Sequence, residues 1–338
     1  MVLMLKLFLY ALTGVAGLLF TAFLFSQWQS RQITSRYPNI GEFIDIGGFR
    51  LNSLHVPRPA TADLPALLFI HGASGNLRDP MAAFLKPLAG RAEMLFMDRP
   101  GHGYSERGDD ANLTPDGQAD AIARLLDKRG IDKVIVIGHS FGGATTASFA
   151  LRHREKVIGL VFLSPATHPW PGGVEWYYDL ANTPYLGPLF CNTVALPAGL
   201  LRIREGVESV FHPNPVPEGY LESAAIPLVL RPDNFCNNAR DVANLLVYVR
   251  KTQPHYHEIA VPTVIITGDS DEIVYEELHS LGLNRDIKGS ELVWVKGLGH
   301  KPDYVATDLA IAAIEKVAGM DRDLRKLASD VERRIAPQ

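Results

Sequence analysis

The segment from residue 134 to residue 143 places the strongest constraint on the fold of this chain. It reads Val-Ile-Val-Ile-Gly-His-Ser-Phe-Gly-Gly, four β-branched residues followed at once by Gly138-x-Ser140-x-Gly142. The β-branched run predicts a buried strand, and the small apolar residues of 143–152 predict a helix packed on a sheet. Side chains two positions either side of so sharp a turn would collide with it, which favours the two glycines. Ser140 is therefore predicted at a helix N-terminus, where amide groups favour negative charge.

The composition allows one large α/β core and argues against several kinds of partner. Of the 338 residues 47% are hydrophobic, and 33 Lys and Arg stand against 37 Asp and Glu. Because no basic run or patch is visible, nucleic acid is not an expected partner. The two cysteines, Cys191 and Cys236, form no CxxC pair, so neither a zinc site nor a disulfide framework is predicted. We expect buried thiols, with pairing as the alternative in an oxidising compartment.

The N-terminus is expected to lie outside this core. Residues 7–25, LFLYALTGVAGLLFTAFLF, contain no charged side chain. As a helix the segment would reach about 28 Å, close to the roughly 30 Å of a bilayer's hydrocarbon core. A membrane-spanning helix is predicted after the flank 1–6, with Trp28 at the interface and a short polar stalk over 26–39. A cleaved signal peptide is the alternative, but bulky residues occupy the usual cleavage position. The flanking positive charges leave the side of the membrane open.

Apolar runs separated by helical patterns predict a mostly parallel sheet. A hairpin of antiparallel strands is indicated around Gly47-Gly48. The later runs are continuous rather than alternating, which indicates strands covered on both faces. One covering helix is expected over 114–129, with Thr114 as its cap and Pro115 in its first turn. The six continuous runs are 66–70, 94–97, 134–137, 157–163, 263–267 and 292–295.

A segment of about a hundred residues between the predicted strands 157–163 and 263–267 differs in composition from the rest of the chain, because it is rich in aromatic residues and proline. Because so long an insertion cannot belong to the sheet, we expect a largely helical cap over 167–255, above the strand ends. Its aromatic side chains are expected to form a substrate pocket wall, although about half of them would hold the cap together. The predicted lining residues in the cap are Trp170, Trp176 and Tyr177.

Ser140 needs a general base and an acid to orient it, and the end of the sheet offers both. His300 follows the last predicted strand in Gly-Leu-Gly-His-Lys-Pro, where the glycines let the loop fold back. The strand 263–267 runs into Gly-Asp-Ser-Asp-Glu, so Asp269, Asp271 and Glu272 are all candidates for the acid. A carboxylate behind an imidazole fixes its tautomer and stabilises the imidazolium that forms.

Other histidines are less suited to the role of base. His139 adjoins Ser140 but is expected to point away from it, and His71 is expected to shape a backbone turn. Both are interpreted as structural. His102 lies in a Gly-His-Gly loop and could line the cleft, but it precedes Ser140 in the chain. Ser74, in the loop after the strand 66–70, could add a hydroxyl to the pocket.

Residues 40–320 resemble a serine hydrolase of the α/β-hydrolase superfamily. The resemblance rests on His71-Gly72, Asp98-Arg-Pro-Gly-His-Gly-Tyr-Ser105, Gly138-His-Ser140-Phe-Gly142-Gly143, Gly268 with Asp271, and Gly299-His300. It implies an eight-stranded, mostly parallel sheet with helices on both faces. It also implies the chain order serine, acid, histidine, which selects His300 as base and Asp271 as acid, with Asp269 as runner-up. The oxyanion hole would combine the amides of Ala73 and Phe141.

This resemblance implies an acyl-transfer mechanism and leaves the substrate open. A serine at residue 140, where related dehalogenases and epoxide hydrolases carry an aspartate, favours an acyl-enzyme that water then hydrolyses. No metal or organic cofactor is required. The anchor followed by a capped hydrolase is similar in layout to membrane-bound monoacylglycerol lipases, so a lipophilic or acyl-glycerol ester is the expected substrate. A carbon-carbon bond hydrolase, an amidase or aminopeptidase, and a noncatalytic hydrolase-like binding protein are the alternatives. A carbon-carbon bond hydrolase would need a cationic group, for which the candidates are Arg202, Arg204, Arg231 and Arg240.

The domain boundaries follow from these elements. The hydrolase core is expected at 40–166 and 256–320, interrupted by the cap. A C-terminal helix is expected over 321–338, with an apolar stripe and charges elsewhere. It is predicted to pack on the hydrolase body, and a partner or membrane-surface role is the alternative. The stripe consists of Leu324, Leu327, Val331 and Ile335.

Overall fold

The computed structural model describes residues 1–336 and has one eight-stranded sheet at its centre. The strands are β1 (Glu42–Asp45), β2 (Arg50–Val56), β3 (Leu67–Ile70), β4 (Met94–Met97), β5 (Val134–His139), β6 (Val157–Leu163), β7 (Thr263–Gly268) and β8 (Glu291–Val295). Their order across the sheet is β1-β2-β4-β3-β5-β6-β7-β8. The pairs β1–β2 and β2–β4 are antiparallel, and every other pair is parallel. The predicted hairpin and mostly parallel sheet are confirmed.

Helices surround the sheet and fill the long connection between β6 and β7. They are α1 (Val2–Arg36), α2 (Arg78–Phe84), α3 (Pro115–Arg129), α4 (Phe141–Arg152), α5 (Trp176–Ala181), α6 (Leu186–Phe190), α7 (Leu196–Phe211), α8 (Tyr220–Ser223), α9 (Pro232–Thr252), α10 (Glu276–Asp286), α11 (Pro302–Val305), α12 (Thr307–Val317) and α13 (Leu324–Ile335). Short 3-10 segments cover Asp110–Leu113, Arg154–Lys156, Ile226–Leu230 and Gln253–Glu258, and a π-helical turn, Cys191–Ala195, joins α6 to α7.

Alternate residues of the central strands feed two separate cores, one on each face of the sheet. In β3, Leu67 and Phe69 pack on the side of α12, whereas Leu68 and Ile70 pack on the side of α3 and α4. All four are buried. Burial on both faces is the reason that these strands read as continuous apolar runs.

Helix α3 begins and ends as its sequence predicts. The Thr114 side chain accepts a hydrogen bond from the Gly117 amide, and Pro115 occupies the first turn, where a missing N–H costs nothing. Gly130 then ends the helix in the left-handed conformation, with φ of 69°. The apolar face of the helix belongs to the same core cluster as Val134 and Val136 of β5.

The cap lies between β6 and β7 and is tied together by a disulfide bond. Cys191 and Cys236 are joined across 45 residues of sequence, which links the π-helical turn to α9. The expectation of two free thiols is therefore wrong. Sequence spacing alone could not indicate the pair, because α9 returns beside α6 only in the folded cap. The boundaries 167–255 chosen for the cap stay a prediction.

The N-terminal helix α1 is 35 residues long and includes residues 26–36 of the segment 26–39 that is expected to be a polar stalk. Residues 2–18 of this helix are exposed, and its mean hydropathy is 2.1 over an 18-residue window, so it is long and apolar enough to cross a membrane. Further along, Ser26 and Ile33 are buried, and Ile33 packs with Tyr37 against Leu196 and Leu228 of the cap. The stalk is thus helical and docked, because apolar residues at 33 and 37 face the cap. The stretch Leu186–Phe211, which comprises α6, the π-helical turn and α7, is also long and apolar enough to cross a membrane, and 28% of its 18-residue apolar window is buried in the protein.

The C-terminal helix α13 packs on the hydrolase body, as predicted. Leu324 and Val331 are buried in the same core cluster as α12, and Leu327 and Ile335 pack against that cluster. The Asp323 side chain caps the helix by accepting a hydrogen bond from the Lys326 amide. The last two residues of the expected segment, 337–338, lie outside the described residues.

Candidate active site

The turn between β5 and α4 is a strained elbow with Ser140 at its apex. Ser140 has φ of 52°, in the left-handed region that non-glycine residues rarely occupy. A Cβ added at Gly138 would lie 2.1 Å from Thr146 Oγ1, and one added at Gly142 would lie 2.4 Å from the Ile70 carbonyl oxygen. Neither position has room for any other residue. The crowding explains why the Gly-x-Ser-x-Gly pattern forms this turn.

Backbone hydrogen bonds fix Ser140 at the carboxyl end of the parallel strands. Its amide donates to the Leu163 carbonyl at 3.0 Å, and its carbonyl accepts from the amides of Gly143 at 2.8 Å and Ala166 at 3.0 Å. Ser140 is buried, with 8% of the residue exposed. It stands at the N-terminus of α4, where the helix dipole favours an oxyanion.

Asp271 and His300 form a buried pair. His300 Nδ1 lies 2.7 Å from Asp271 Oδ2, and the side chains are 4% and 0% exposed. The other oxygen, Oδ1, accepts hydrogen bonds from the amides of Ile273 and Val274, each at 2.9 Å. Burial raises the pKa of the Asp271 carboxyl, but the charge and hydrogen bond of His300 and the two amides outweigh it and lower the pKa below its usual value. The carboxylate is therefore ionised and aimed at Nδ1, which leaves Nε2 of His300 for proton transfer.

Asp269, the runner-up for the acid, has a different contact. Its Oδ1 accepts a hydrogen bond from the Gly297 amide at 2.7 Å and another from the Ser270 hydroxyl. Gly297 belongs to the loop that carries His300, so Asp269 shapes this loop and makes no contact with the imidazole among the described residues. The geometry favours Asp271 as the acid.

His139 lies closer to the site than the sequence suggested. Its Nε2 is 2.8 Å from the His300 carbonyl oxygen, and the two rings are 4.9 Å apart. Since a carbonyl can only accept, Nε2 carries the proton. Burial, followed by the charge of Lys301, holds the pKa of His139 well below its usual value, so the ring is neutral. The residue next to Ser140 thus ties the backbone of His300 to the elbow.

The loop after β3 reaches the elbow from the other side. A Cβ added at Gly72 would lie 3.1 Å from Ser140 Cβ, so this loop and the serine are in close approach. Ala73 packs against the apolar cluster that contains Phe141, which brings together the two residues expected to supply the oxyanion amides. Ser74 has φ of 59°, and its amide donates to Asn238 Oδ1 at 2.7 Å. Asn238 of the cap therefore holds the loop in place.

The sequence-predicted pocket residues separate into two groups. Trp170 packs on the apolar cluster of Phe141, as does Ala73, the other residue expected to supply an oxyanion amide. Trp176 is 67% exposed and packs edge-on against Tyr177, with ring centroids 5.9 Å apart, in an aromatic group within the cap. The structure does not bring these two residues to the Phe141 cluster. Trp176 and Tyr177 instead pack with other aromatic residues of the cap, and this packing stabilises the cap.

His71 and His102 are buried in the core. His71 Nδ1 donates to the Gly72 carbonyl at 2.8 Å, and Nε2 accepts from the Arg99 amide at 3.0 Å. His102 is 1% exposed, and its Nε2 accepts from the Arg99 guanidinium at 3.1 Å. Burial, followed by the charge of Arg99, lowers the pKa of both rings well below the usual value. His102 is therefore a neutral core histidine and does not line the cleft.

A buried ion pair that the sequence analysis does not predict joins the core to the cap beside the loop after β3. Arg99 Nη1 lies 3.0 Å from Asp241 Oδ2 of α9, and Arg107 Nη2 lies 2.7 Å from Asp241 Oδ1. The Arg99 guanidinium also sits 4.3 Å from the centroid of the Phe141 ring. The only signal for this contact is Arg99 in its Asp-Arg-Pro-Gly motif, because nothing near Asp241 marks it as a partner.

Three further buried residues could be considered for a metal ion. Asp79, His139 and Asp303 each bring one ligand atom within 4.8 Å of the others. However, Lys301 Nζ lies 3.0 Å from Asp79 Oδ2 and 2.9 Å from Asp303 Oδ2. The ammonium group already supplies the positive charge that these carboxylates need. We therefore describe the residues as a buried ion cluster and assign no metal to them.

The comparison with known families agrees with this geometry. The family model for the alpha/beta hydrolase fold matches residues 65–302. The chain belongs to this family. The matched residues include the elbow, Asp271 and His300, and the expected fold class is thereby confirmed.

Relatives of this family member differ in activity. The chain is 25% identical over 287 residues to a 2-hydroxy-6-oxononadienedioate/2-hydroxy-6-oxononatrienedioate hydrolase of Klebsiella pneumoniae, covering 83% of this chain and 94% of the relative. It is 35% identical over 139 residues to Lipase LipV of Mycobacterium tuberculosis, covering 40% of this chain and 51% of the relative. The chain thus spans about half the length of that lipase. A membrane phospholipase A, described as a bacterial virulence factor, superposes with a TM-score of 0.63 at 20% identity, covering 95% of this chain and 100% of that one. This likeness shows the shared fold.

Proposed function

We propose that the protein is a membrane-anchored serine hydrolase that cleaves carboxylic esters with lipophilic acyl groups. The observation that carries the proposal is the 2.7 Å contact of His300 Nδ1 with a buried Asp271, on a loop that His139 ties to the Ser140 elbow. An imidazole with an ionised carboxylate behind Nδ1 is the arrangement that a serine nucleophile needs.

In the proposed mechanism, Ser140 Oγ attacks the ester carbonyl while His300 Nε2 takes its proton. Asp271 holds the imidazole in the required tautomer and stabilises the imidazolium. The amides of Ala73 and Phe141 bind the oxyanion, and the α4 dipole adds to this stabilisation. His300 then protonates the leaving alcohol. Water deprotonated by the same base hydrolyses the acyl-enzyme and restores Ser140.

The side chains around the elbow favour an apolar acyl group. Phe141 is clustered with apolar residues of α9, the β7–α10 connection and the β6–α5 connection. The four arginines considered for a substrate carboxylate are engaged or exposed. Arg231 donates to the Gly103 carbonyl, Arg202 pairs with Glu205, Arg240 lies near Asp110, and Arg204 is exposed. This supports the ester over a carbon-carbon bond substrate. The cluster consists of Phe141, Ala144, Ala166, Leu245, Tyr248, Val249 and Val274, with Ala73 and Trp170 against it.

The anchor and the disulfide together support one location. The segment 7–25 lies within a continuous helix and is exposed along nearly all of its length. Because disulfides persist in oxidising compartments, the Cys191–Cys236 bond supports a catalytic domain outside the cytoplasm, with the N-terminus of α1 on the cytoplasmic side. Alkaline carbonate extraction should leave the full-length protein in the membrane fraction, whereas a cleaved leader would release it.

The mechanism is tested by labelling and by substrate profile. Full-length protein in detergent should react with a fluorophosphonate, and Ser140→Ala should abolish labelling and lower turnover by about 10³-fold or more, with an unchanged circular dichroism spectrum. Among p-nitrophenyl esters of graded chain length, kcat/KM is expected to be highest for medium or long acyl chains. A wild-type protein that ignores the fluorophosphonate would contradict the serine mechanism. Turnover of peptide amides or vinylogous diketones, with no ester cleavage, would instead favour the alternatives.

A further inference from the structure

The loop that carries His300, residues 296–301, is held by side chains from outside it. On the core side, Asp269 Oδ1 accepts from the Gly297 amide at 2.7 Å, and His139 Nε2 donates to the His300 carbonyl at 2.8 Å. These contacts come from the ends of β7 and β5, which are rigid parts of the sheet. A loop with two glycines needs such restraints, because glycine allows many backbone conformations.

The cap supplies a second set of restraints through one carboxamide. Asn214 Oδ1 accepts a hydrogen bond from the Gly299 amide at 2.8 Å, and its Nδ2 donates to the Gly297 carbonyl at 2.8 Å. The Asn214 side chain therefore holds the two peptide groups that flank Leu298, which lies two residues before His300. Asn214 is 7% exposed, so these hydrogen bonds are shielded from competing water.

The backbone of the cap also lies directly against this loop. A Cβ added at Gly299 would be 2.1 Å from the His212 carbonyl oxygen and 3.0 Å from the Phe211 carbonyl oxygen. The Phe211 ring packs edge-on against Tyr304, in the helix that follows His300, with centroids 5.9 Å apart. Asn214 thus acts from a segment of the cap that is seated on the catalytic loop.

We propose that Asn214 is a positioning residue for His300, so that the cap is required to align the catalytic base. This inference rests on the proposed triad of Ser140, Asp271 and His300. Asn214 touches neither the imidazole nor the elbow among the described residues, and it acts by fixing the two peptide groups that flank Leu298, two residues before His300. A base displaced by about 1 Å loses activity on the order of 10²-fold, so control of this loop controls turnover.

The test compares two substitutions in the full-length protein in detergent. Asn214→Ala removes both hydrogen bonds and is expected to lower kcat about 10- to 100-fold on short and long p-nitrophenyl esters alike, with KM nearly unchanged. Its rate of fluorophosphonate labelling should fall by a similar factor. The matched control is Asn284→Ala, because Asn284 also holds a loop through its carboxamide, donating to the Ser290 carbonyl at 3.0 Å and to its hydroxyl at 2.9 Å. The control should keep the wild-type kcat.

Asn214→Asp provides a readout that a merely structural role would not give. Its carboxyl keeps the size of the amide and an acceptor for the Gly299 amide. When ionised it has no proton for the Gly297 carbonyl, but when protonated it can donate there. The ratio of its kcat to that of the wild type should therefore rise as the pH falls. This variant also keeps the test decisive if Asn214→Ala does not fold.

The possible outcomes separate the two proposals. A wild-type protein that does not react with the fluorophosphonate would overturn the triad and, with it, the role of Asn214. If the wild type reacts but both Asn214 variants retain its kcat and labelling rate at every pH, only the positioning role is overturned. A rise in KM confined to long esters would likewise overturn it, because Asn214 would then act through the substrate pocket.

Discussion

Replacing Asp271 by asparagine would separate the charge of this residue from its shape. Asp271 Oδ1 accepts from two amides, those of Ile273 and Val274, whereas Oδ2 faces His300 Nδ1 at 2.7 Å. In Asp271→Asn the side-chain oxygen must remain toward the two amides, since an NH2 group there would face two donors. The new NH2 group therefore points at His300 Nδ1 and donates to it. This forces the proton of the neutral imidazole onto Nε2, the tautomer that cannot accept the Ser140 proton.

The expected cost follows from this tautomer. A serine hydrolase with the wrong imidazole tautomer loses about 10⁴-fold in kcat. Four powers of ten correspond to about 5.4 kcal/mol in the activation free energy. The assay is kcat for p-nitrophenyl butyrate hydrolysis at pH 7 to 9, with circular dichroism to check the fold. Because the hydrogen bonds to Ile273 and Val274 survive, stability should change little compared with activity.

Asp269→Asn is the matched control. Asp269 Oδ1 accepts from the Gly297 amide, and an asparagine oxygen can do the same. We expect a loss of less than about tenfold, because the contact shapes the loop without setting the tautomer of His300. The reasoning is refuted if Asp271→Asn retains more than a tenth of the wild-type kcat, or if Asp269→Asn is the more damaging of the two.

Two further predictions concern stability. Lys301→Met should lower the free energy of unfolding by about 3–5 kcal/mol at pH 7, because it strands the buried carboxylates of Asp79 and Asp303. Burial raises the pKa of Asp303, and loss of Lys301 would raise it further, so the folded state binds a proton more tightly than the unfolded state. The penalty should therefore shrink as the pH falls from 7 to 4 in urea titrations, and a pH-independent loss would contradict it. Replacing both Cys191 and Cys236 by serine should cost about 2–4 kcal/mol, as should dithiothreitol on the wild type; a reductant without effect would argue against the bond.

The sheet and the elbow could be predicted because their signals are local. A strand buried on both faces must be continuously apolar, and the six predicted runs coincide with strands β3 to β8 to within about two residues at either end. The elbow is specified by glycines that leave no room for a Cβ at Gly138 and Gly142. Asp271 and His300 were selected by motif and chain order, and the structure brings them together. Their catalytic roles stay predictions.

The contacts of the cap could not be predicted in this way. Asn214, Asn238 and Asp241 reach the core across more than eighty residues of sequence, and no motif surrounds them. The disulfide was missed for the same reason. Trp176 and Tyr177 were assigned to the pocket by composition, yet aromatic residues pack equally well with one another inside a cap. Pairing between polar groups that are distant in sequence depends on how the helices of the cap pack on the core. Local sequence motifs carry no information about that packing.

The docking of α1 on the cap changes what an anchor can do for an enzyme. Eleven helical residues, about 16 Å in length, follow the apolar stretch of α1. Ile33 and Tyr37, at the C-terminal end of this segment, pack against the cap. A flexible tether would let the catalytic domain tumble and present any face to the bilayer. If α1 spans the bilayer as proposed, a helix docked on the cap would hold the catalytic domain at one distance from the membrane and in one orientation. Under the proposed anchoring and lipid-ester activity, a lipid would reach Ser140 only by leaving the bilayer on the side that this fixed orientation exposes.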